Sequence, residues 1–216
     1  MTHNWHSGAL RHLAARNRGR SIGLYGGSFN PAHAGHLHVA REALKRLKLD
    51  EIWFMVSPGN PLKPTDGMAP YEPRLASLER LIANQPKMIA SNAEQQLGTR
   101  YTVDTVEALK YELPGTKFVW LMGADNLASF DKWHRWEKLA DSVPIAVFDR
   151  TGYDPRGFAS GLTRRYAKYR IAPEQFGTAQ TPSWTFLTIP RHAASATNIR
   201  SQHGENWYAK EIGKDI

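Results

Sequence analysis

Short apolar runs alternate along the chain with longer segments in which apolar residues recur every three or four positions. The short runs predict β-strands, and unbroken ones are typical of strands that are buried on both faces of a sheet. The periodic segments predict α-helices. The predicted strands are 22–25, 51–56, 88–90, 118–122, 144–148 and 185–189, and the predicted helices are 37–49, 73–83, 103–113 and a short last helix that begins near Ser195.

This alternation predicts an α/β fold: a single Rossmann-like domain with a parallel sheet of about five to six strands and helices on both faces. Right-handed crossovers place the carboxyl ends of such strands along one edge, where ligands bind. Loops 26–36, 57–64, 123–126 and 190–200 fall on that edge. The basic segment 150–183 is open to two interpretations, a solvated helix or a surface lid.

Composition excludes several classes of protein. Of the 216 residues, 41% are hydrophobic and 22% are charged, which is typical of a globular chain. The absence of cysteine excludes disulfides, thiol catalysis and zinc–thiolate sites. No apolar stretch is long enough to span a bilayer and no signal peptide is recognisable, so we expect a cytoplasmic protein without a membrane partner.

The net charge of +8 is unevenly distributed. We expect residues 1–20 to form a flexible basic extension before a domain that spans residues 21–216. A basic excess is compatible with a nucleic-acid-binding module, which would bind in a strongly salt-dependent way. Phosphorylated small molecules explain the excess equally well. The extension contains no acidic residue and four arginines, Arg11, Arg16, Arg18 and Arg20.

A glycine-rich turn joins the first predicted strand to the first predicted helix, and it reads Gly-Gly-Ser-Phe-Asn-Pro-Ala-His-Ala-Gly-His over residues 26–36. The two glycines let the backbone approach a ligand, and the new helix directs N–H groups at an anion. His33 and His36 are three residues apart and share a face. These features by themselves indicate an anion site at a helix start. They match neither the Walker pattern nor the dinucleotide pattern G-x-G-x-x-G.

The full string resembles the G-[ST]-F-[DN]-P-x-H-x-G-H signature of the nucleotidyltransferase superfamily and matches it at every fixed position. The resemblance implies that His33 and His36 contact the triphosphate of a nucleotide. It also assigns to the ATP site the turn residues Gly26, Gly27, Ser28 and Phe29.

Residues 194–200 resemble a second superfamily motif, I-S-[SA]-T-x-I-R, with alanine at its first position. Considered alone, Ser195 or Thr197 could simply cap the last helix. The resemblance implies that both hydroxyls and Arg200 bind the β- and γ-phosphates. Lys63 occupies the lysine position of a third pattern, which is roughly P-x-x-x-P-H-K and here reads Pro58-Gly-Asn-Pro-Leu-Lys63, with Leu62 at the histidine position. Lys63 is therefore a candidate phosphate ligand, with a solvated loop lysine as the alternative.

Two further strings, 101–106 and 123–136, resemble the bacterial nicotinate-mononucleotide adenylyltransferase family. This resemblance implies that Trp133 stacks on a pyridine ring and that backbone amides near Tyr101, Thr102 and the tryptophan hold its carboxylate. It places Asp125 near a ribose and Gly123 in the ATP site. His134, where the family often has tyrosine, joins the pyridine site. The alternative is that Trp133 and Trp136 are both core anchors, which we expect of Trp136.

The resemblance implies adenylyl transfer from ATP to nicotinate mononucleotide. The catalytic residues would be His33, His36, Lys63 and Arg200, which stabilise charge on the leaving pyrophosphate without acting as a base. Mg²⁺ would arrive with ATP, because no carboxylate cluster suggests a protein metal site. Nicotinamide mononucleotide and phosphopantetheine are alternative acceptors. A non-catalytic ATP sensor and a nucleic-acid-binding module are alternative functions. For the enzyme we expect small-molecule substrates and no nucleic-acid partner. The sequence leaves open whether the protein forms a homo-oligomer.

Overall fold

A computed structural model describes residues 16–59, 67–149, 160–190, 192–204 and 207–208. Its six strands form one parallel sheet in the order β3-β2-β1-β4-β5-β6, so the predicted α/β architecture is confirmed. In this order the chain runs outward in opposite directions from β1 and β4, which makes a crevice between their carboxyl ends. The strands are β1 (Ser21–Gly27), β2 (Glu51–Val56), β3 (Met88–Ser91), β4 (Lys117–Gly123), β5 (Ile145–Asp149) and β6 (Trp184–Thr188).

Seven α-helices are found in the part of the chain that the structure describes, and none of them is long and apolar enough to cross a membrane. The first begins at Ala34, three residues earlier than predicted, because the His33 side chain caps it. The helices are α1 (Ala34–Arg46), α2 (Tyr71–Ile82), α3 (Ala93–Gln96), α4 (Thr102–Glu112), α5 (Trp136–Ser142), α6 (Gly161–Arg165) and α7 (Ala196–His203), and 3₁₀ turns cover Ala124–Lys132, Ala167–Tyr169 and Pro173–Thr178.

Hydrophobic side chains pack on both faces of the sheet. Consecutive strand residues alternate between two clusters, as in β1, where Leu24 packs on one face and Tyr25 on the other. Residues of α4 and α5 cover the Leu24 face, and residues of α1 and α2 cover the Tyr25 face. Because both faces are covered, the central strands are buried along almost their whole length, as their unbroken apolar runs predict.

Part of the predicted extension contacts the domain. Arg16 and Arg20 donate to the buried carboxylate of Glu51 at 2.7 and 2.9 Å. Glu51 is the first residue of β2, so this contact lies at the edge of the sheet opposite the carboxyl ends. Residues 1–15 lie outside the described residues, and the predicted boundary at residue 21 stays a prediction.

The described part of the basic segment, residues 160–183, packs against the domain. Leu162 and Tyr166 are buried, although Arg164 and Arg165 on the same turns are exposed. The Tyr166 carbonyl accepts a hydrogen bond from the Trp184 indole at 2.7 Å. Within this part, the only exposed basic α-helical turn among the described residues is the five-residue α6. Residues 150–159 lie outside the described residues, so the lid interpretation of segment 150–183 stays a prediction.

Candidate active site

A cavity of about 750 Å³ opens at the carboxyl edge of the sheet, where β1 and β4 lie side by side. Every predicted site residue that the structure describes lines this cavity. Lys63 lies outside the described residues. The structure thus brings together residues from opposite ends of the chain, namely Gly26, Gly27, Ser28, Phe29, His33, His36, Tyr101, Thr102, Gly123, Asp125, Trp133, His134, Ser195, Thr197 and Arg200.

The glycine-rich turn leaves β1 in a conformation that few residues could replace. A Cβ atom on Gly26 would lie 2.3 Å from Cη2 of the Trp120 ring, so the strand tolerates no side chain there. Phe29 adopts a φ of +47°, which is uncommon for a residue other than glycine. Its ring is buried and meets the His36 ring edge-on at 4.9 Å. Packing of this ring holds the turn in its strained form.

The two histidines of the turn hold each other in place. Nδ1 of His33 accepts a hydrogen bond from the Gly35 amide, and Nδ1 of His36 accepts one from the His33 amide, both at 3.1 Å. A ring nitrogen that accepts carries no proton, so each ring bears its proton on Nε2. The rings are buried and their centroids are 3.8 Å apart. The α1 start therefore presents two oriented Nε2–H donors.

Helix α2 supports the turn from behind through Arg74. This side chain is 2% exposed, and burial lowers its pKa from the usual arginine value. Its guanidinium donates to the carbonyls of Ser28 at 2.7 Å, Ser57 at 2.8 Å and Ala69 at 3.0 Å. These bonds tie the turn to the loop after β2. Ser77, one turn further along α2, accepts from the Ala32 amide at 3.2 Å.

The C-terminal motif docks on the same turn. Ser195 caps α7 by accepting from the Asn198 amide at 3.1 Å, so its capping interpretation applies. Arg200 donates through Nη1 to the Asn30 carbonyl, and its other N–H groups can serve an anion. The Asn30 side chain accepts from the Trp207 indole at 3.0 Å. Residues more than 160 positions apart in the sequence are thereby joined at one end of the cavity.

Aromatic residues form the opposite wall of the cavity. Trp133 packs against Phe130 at 5.3 Å and meets Trp120 edge-on at 6.2 Å, so it is half-buried and fixed in orientation. His134 stacks on Tyr101 with ring centroids 4.2 Å apart. Trp136 lies outside the cavity lining and packs between Phe130 and Tyr166, as expected of a core anchor.

Residue Arg135 fixes this wall to α4. It has a φ of +50° and donates to Asp104 at 3.2 Å, beside Glu107 at 3.8 Å. The ion pairs join the segment that carries Trp133 to the helix that begins at Thr102. The ion pairs therefore link the two parts of the aromatic wall.

Further polar residues line the cavity that the sequence patterns did not select as site residues, namely Asn30, Ser57, Glu94, Arg100, Asn126 and Lys132. Glu94 is 8% exposed, and burial raises the pKa of its carboxyl to about 8. Glu94 and Arg100 follow β3, whose carboxyl end lies on the ligand-binding edge. Their position after β3 could therefore have identified both residues, because the segment that follows each parallel strand begins at that edge.

Across the described residues, histidine, aspartate and glutamate side chains nowhere gather in a group of three or more that could hold a metal ion. The two carboxyl groups on the cavity lining follow different strands, Glu94 after β3 and Asp125 after β4. This donor set fits a cation that is delivered by phosphate oxygens better than one held by the protein alone.

Comparisons with known proteins agree with this geometry. A family model described as cytidylyltransferase-like matches residues 24–202. A probable nicotinate-nucleotide adenylyltransferase of Gluconobacter oxydans is 51% identical over 182 residues, which cover 83% of this chain and 93% of that protein. A protein of the same name from Cereibacter sphaeroides is 47% identical over 180 residues, covering 83% of this chain and 96% of its own length.

A solved structure shares the fold. Plasmodium falciparum nicotinic acid mononucleotide adenylyltransferase complexed with NaAD superposes with a TM-score of 0.63 over 84% of this chain and 83% of that chain. The sequence identity is 19%, so this likeness supports the architecture alone.

Proposed function

This chain belongs to the cytidylyltransferase-like family, and on that premise we propose that it transfers the adenylyl group of ATP to nicotinate mononucleotide. The products are nicotinate adenine dinucleotide and pyrophosphate. The observation that carries the proposal is a single cavity whose one end is lined by the histidine turn and Arg200 and whose other wall is Trp133. The names of relatives at 47 and 51% identity support the same reaction.

The reaction needs no protein base. A phosphate oxygen of nicotinate mononucleotide, already ionised at neutral pH, attacks the α-phosphorus of ATP. A new P–O bond forms, the bond from the α-phosphorus to the bridging oxygen breaks, and pyrophosphate leaves with that electron pair. The protein therefore accelerates the reaction by positioning both anions and by stabilising charge that develops on the leaving group.

The triphosphate end provides groups suited to this task. We assign His33 and His36 to phosphate oxygens through the Nε2–H donors that their Nδ1 hydrogen bonds orient. Arg200 adds a permanent positive charge, and Lys63 would add a second from the loop after β2. The Gly26–Gly27 backbone, the hydroxyls of Ser195 and Thr197, and the start of α1 complete the anion site.

The opposite end suits a pyridine nucleotide. The face of Trp133 offers a flat platform for the ring, and the amides at Tyr101 and Thr102 offer donors to its carboxylate. Asp125 directly follows β4, and we assign it to the ribose hydroxyls as a hydrogen-bond acceptor. His134 supports Tyr101 by stacking and contributes to this end through that contact.

Magnesium accompanies ATP in this proposal. When bound to the phosphates it neutralises their charge, and Asp125 is the exposed carboxylate on the cavity lining that could reach it or its waters. We also propose a cytoplasmic location, because a chain without cysteine shows no adaptation to an oxidising compartment.

The test is pyrophosphate release from ATP and Mg²⁺ with three acceptors in parallel: nicotinate mononucleotide, nicotinamide mononucleotide and phosphopantetheine. We expect the highest kcat/KM with nicotinate mononucleotide. Preference for phosphopantetheine would keep adenylyl transfer and contradict the role given to Trp133. No turnover by folded protein would favour the ATP sensor, or the nucleic-acid module if the protein binds DNA or RNA in a strongly salt-dependent way.

A further inference from the structure

The pyridine end of the cavity contains a cation to which no role has been given. Arg100 lines the cavity one residue before Tyr101, and its guanidinium lies 5.8 Å from the centre of the Tyr101 ring. The side chain is exposed and forms no ion pair within the described part of the chain. Its charge is therefore available to a ligand.

The surroundings of Arg100 also favour a negative group. Helix α4 begins at Thr102, which lines the cavity together with Arg100, and the Tyr101 side chain does not cap it, so the positive end of the helix dipole lies beside the guanidinium. His134 and Trp133 form the facing wall. An anion on a ring stacked on Trp133 would meet both the helix start and the guanidinium.

Among the described residues, Glu94 and Asp125 are the carboxyl groups on the cavity lining, and Asp104 in the first turn of α4 is paired with Arg135 at 3.2 Å. Glu94 belongs to the same loop, but burial raises its pKa to about 8, so it carries a proton at pH 7. Asp125 lies after β4, on the side that we assign to the ribose. Arg100 thus gives the pyridine end a positive charge, together with Lys132, which lines the cavity directly before Trp133.

We propose that Arg100 makes this cavity select an acceptor whose pyridine ring carries a carboxylate over one that carries a carboxamide. The inference rests on the proposed function. The two rings have nearly the same shape and stack equally well on Trp133, so packing cannot separate them. A guanidinium forms charge-assisted, bidentate hydrogen bonds with a carboxylate and only neutral-acceptor bonds with an amide. The difference in charge therefore becomes a difference in affinity.

The experiment compares kcat/KM for nicotinate mononucleotide with kcat/KM for nicotinamide mononucleotide in the wild-type protein, Arg100→Gln and Arg100→Lys. In Arg100→Gln we expect the ratio to fall by about three- to tenfold, the range for an ion pair that is partly exposed to solvent. The change should appear in KM for the nicotinate compound, with the nicotinamide compound and ATP within about twofold of wild type. Arg100→Lys keeps the charge but loses the bidentate geometry, so its ratio should lie between those of Arg100→Gln and wild type.

The matched control is Arg164→Gln, which removes the same charge from an exposed site on α6 outside the cavity lining. It should leave the ratio unchanged. An unchanged ratio in Arg100→Gln, or an equal fall of kcat/KM for both acceptors, would overturn the role of Arg100 while the proposed function stands. A wild-type protein that uses neither pyridine nucleotide would overturn the proposed function and this inference with it.

Discussion

At the scale of single residues, Glu94 is a group whose ionisation depends strongly on the fold. Its folded pKa of about 8 lies above the ordinary glutamate value of 4.5 because burial disfavours the charged form. Well below pH 4.5 the carboxyl is protonated in both the folded and the unfolded chain, so its ionisation does not change the free energy of unfolding. As the pH rises from there toward 8, the unfolded chain loses the proton that the folded protein keeps, and the folded state loses stability.

Replacing this carboxyl by an amide should remove that pH dependence. We expect Glu94→Gln to gain stability relative to wild type between pH 5 and pH 8, by an amount on the order of a few kcal/mol. Urea denaturation of both proteins at the two pH values measures it. The control is Glu72→Gln, on the exposed first turn of α2. Its stability should differ from that of wild type by the same amount at both pH values. A pH-independent difference for Glu94→Gln would show that burial does not shift this group.

Trp133 and Trp136 offer a matched pair at the same scale. Trp133→Ala should raise KM for nicotinate mononucleotide by about tenfold or more, because a stacking platform of one to a few kcal/mol is lost, and leave KM for ATP within about twofold. Trp136→Ala removes a ring outside the cavity lining and should lower the melting temperature with little change in either KM. Equal effects of Trp133→Ala on both substrates would assign it to folding instead.

At the scale of elements, α2 and the glycine-rich turn depend on each other. Arg74 sits in the first half of α2, yet its guanidinium is buried among carbonyls of the turn and of the loop after β2. Within the described residues Arg74 forms no ion pair with a carboxylate, so carbonyl oxygens and the Tyr71 ring, 5.6 Å from the guanidinium, compensate for the burial of the charge. Helix α2 thus holds the turn that carries the histidines through the Arg74 side chain.

Loss of this clamp should be costly. Arg74→Met keeps much of the side-chain volume but removes the donor to one buried and two partly buried carbonyls, so we expect a loss of about 3–5 kcal/mol in unfolding free energy. Arg80→Met, on the exposed last turn of the same helix, should change it by less than about 0.5 kcal/mol. Chemical denaturation of the two variants compares them, and similar values would mean that Arg74 does not hold the turn.

The helices show what a sequence pattern can predict. α1, α2 and α4 are long enough for their apolar residues to repeat over three turns, and each was predicted within three residues at its start. α3, α5 and the 3₁₀ turn after β4 were not predicted, because α3 and α5 have four and seven residues and the 3₁₀ turn has a different period. The buried position of Arg74 was equally hidden, since arginine on a helix is usually exposed.

At the scale of the whole molecule, alternation of strand and helix predicted a parallel sheet but not the order of its strands. That order depends on which strand pairs lie side by side, and it brings β1 next to β4 across almost a hundred residues. The cavity exists only because of this pairing and because α7 returns to Asn30. The motifs therefore predicted residues that line the cavity, whereas Glu94 and Arg100 belong to no motif and join the lining only in the folded structure.

The proposed reaction of the whole molecule is the transfer of an adenylyl group between two nucleotides that are bound in one cavity. ³¹P NMR of the wild-type protein with ATP, Mg²⁺ and nicotinate mononucleotide tests it most directly, because each phosphorus atom is followed. We predict that the ATP signals give way to pyrophosphate and to a dinucleotide diphosphate in equal amounts. Formation of ADP and inorganic phosphate, or of pyrophosphate with AMP and no dinucleotide, would contradict adenylyl transfer to this acceptor.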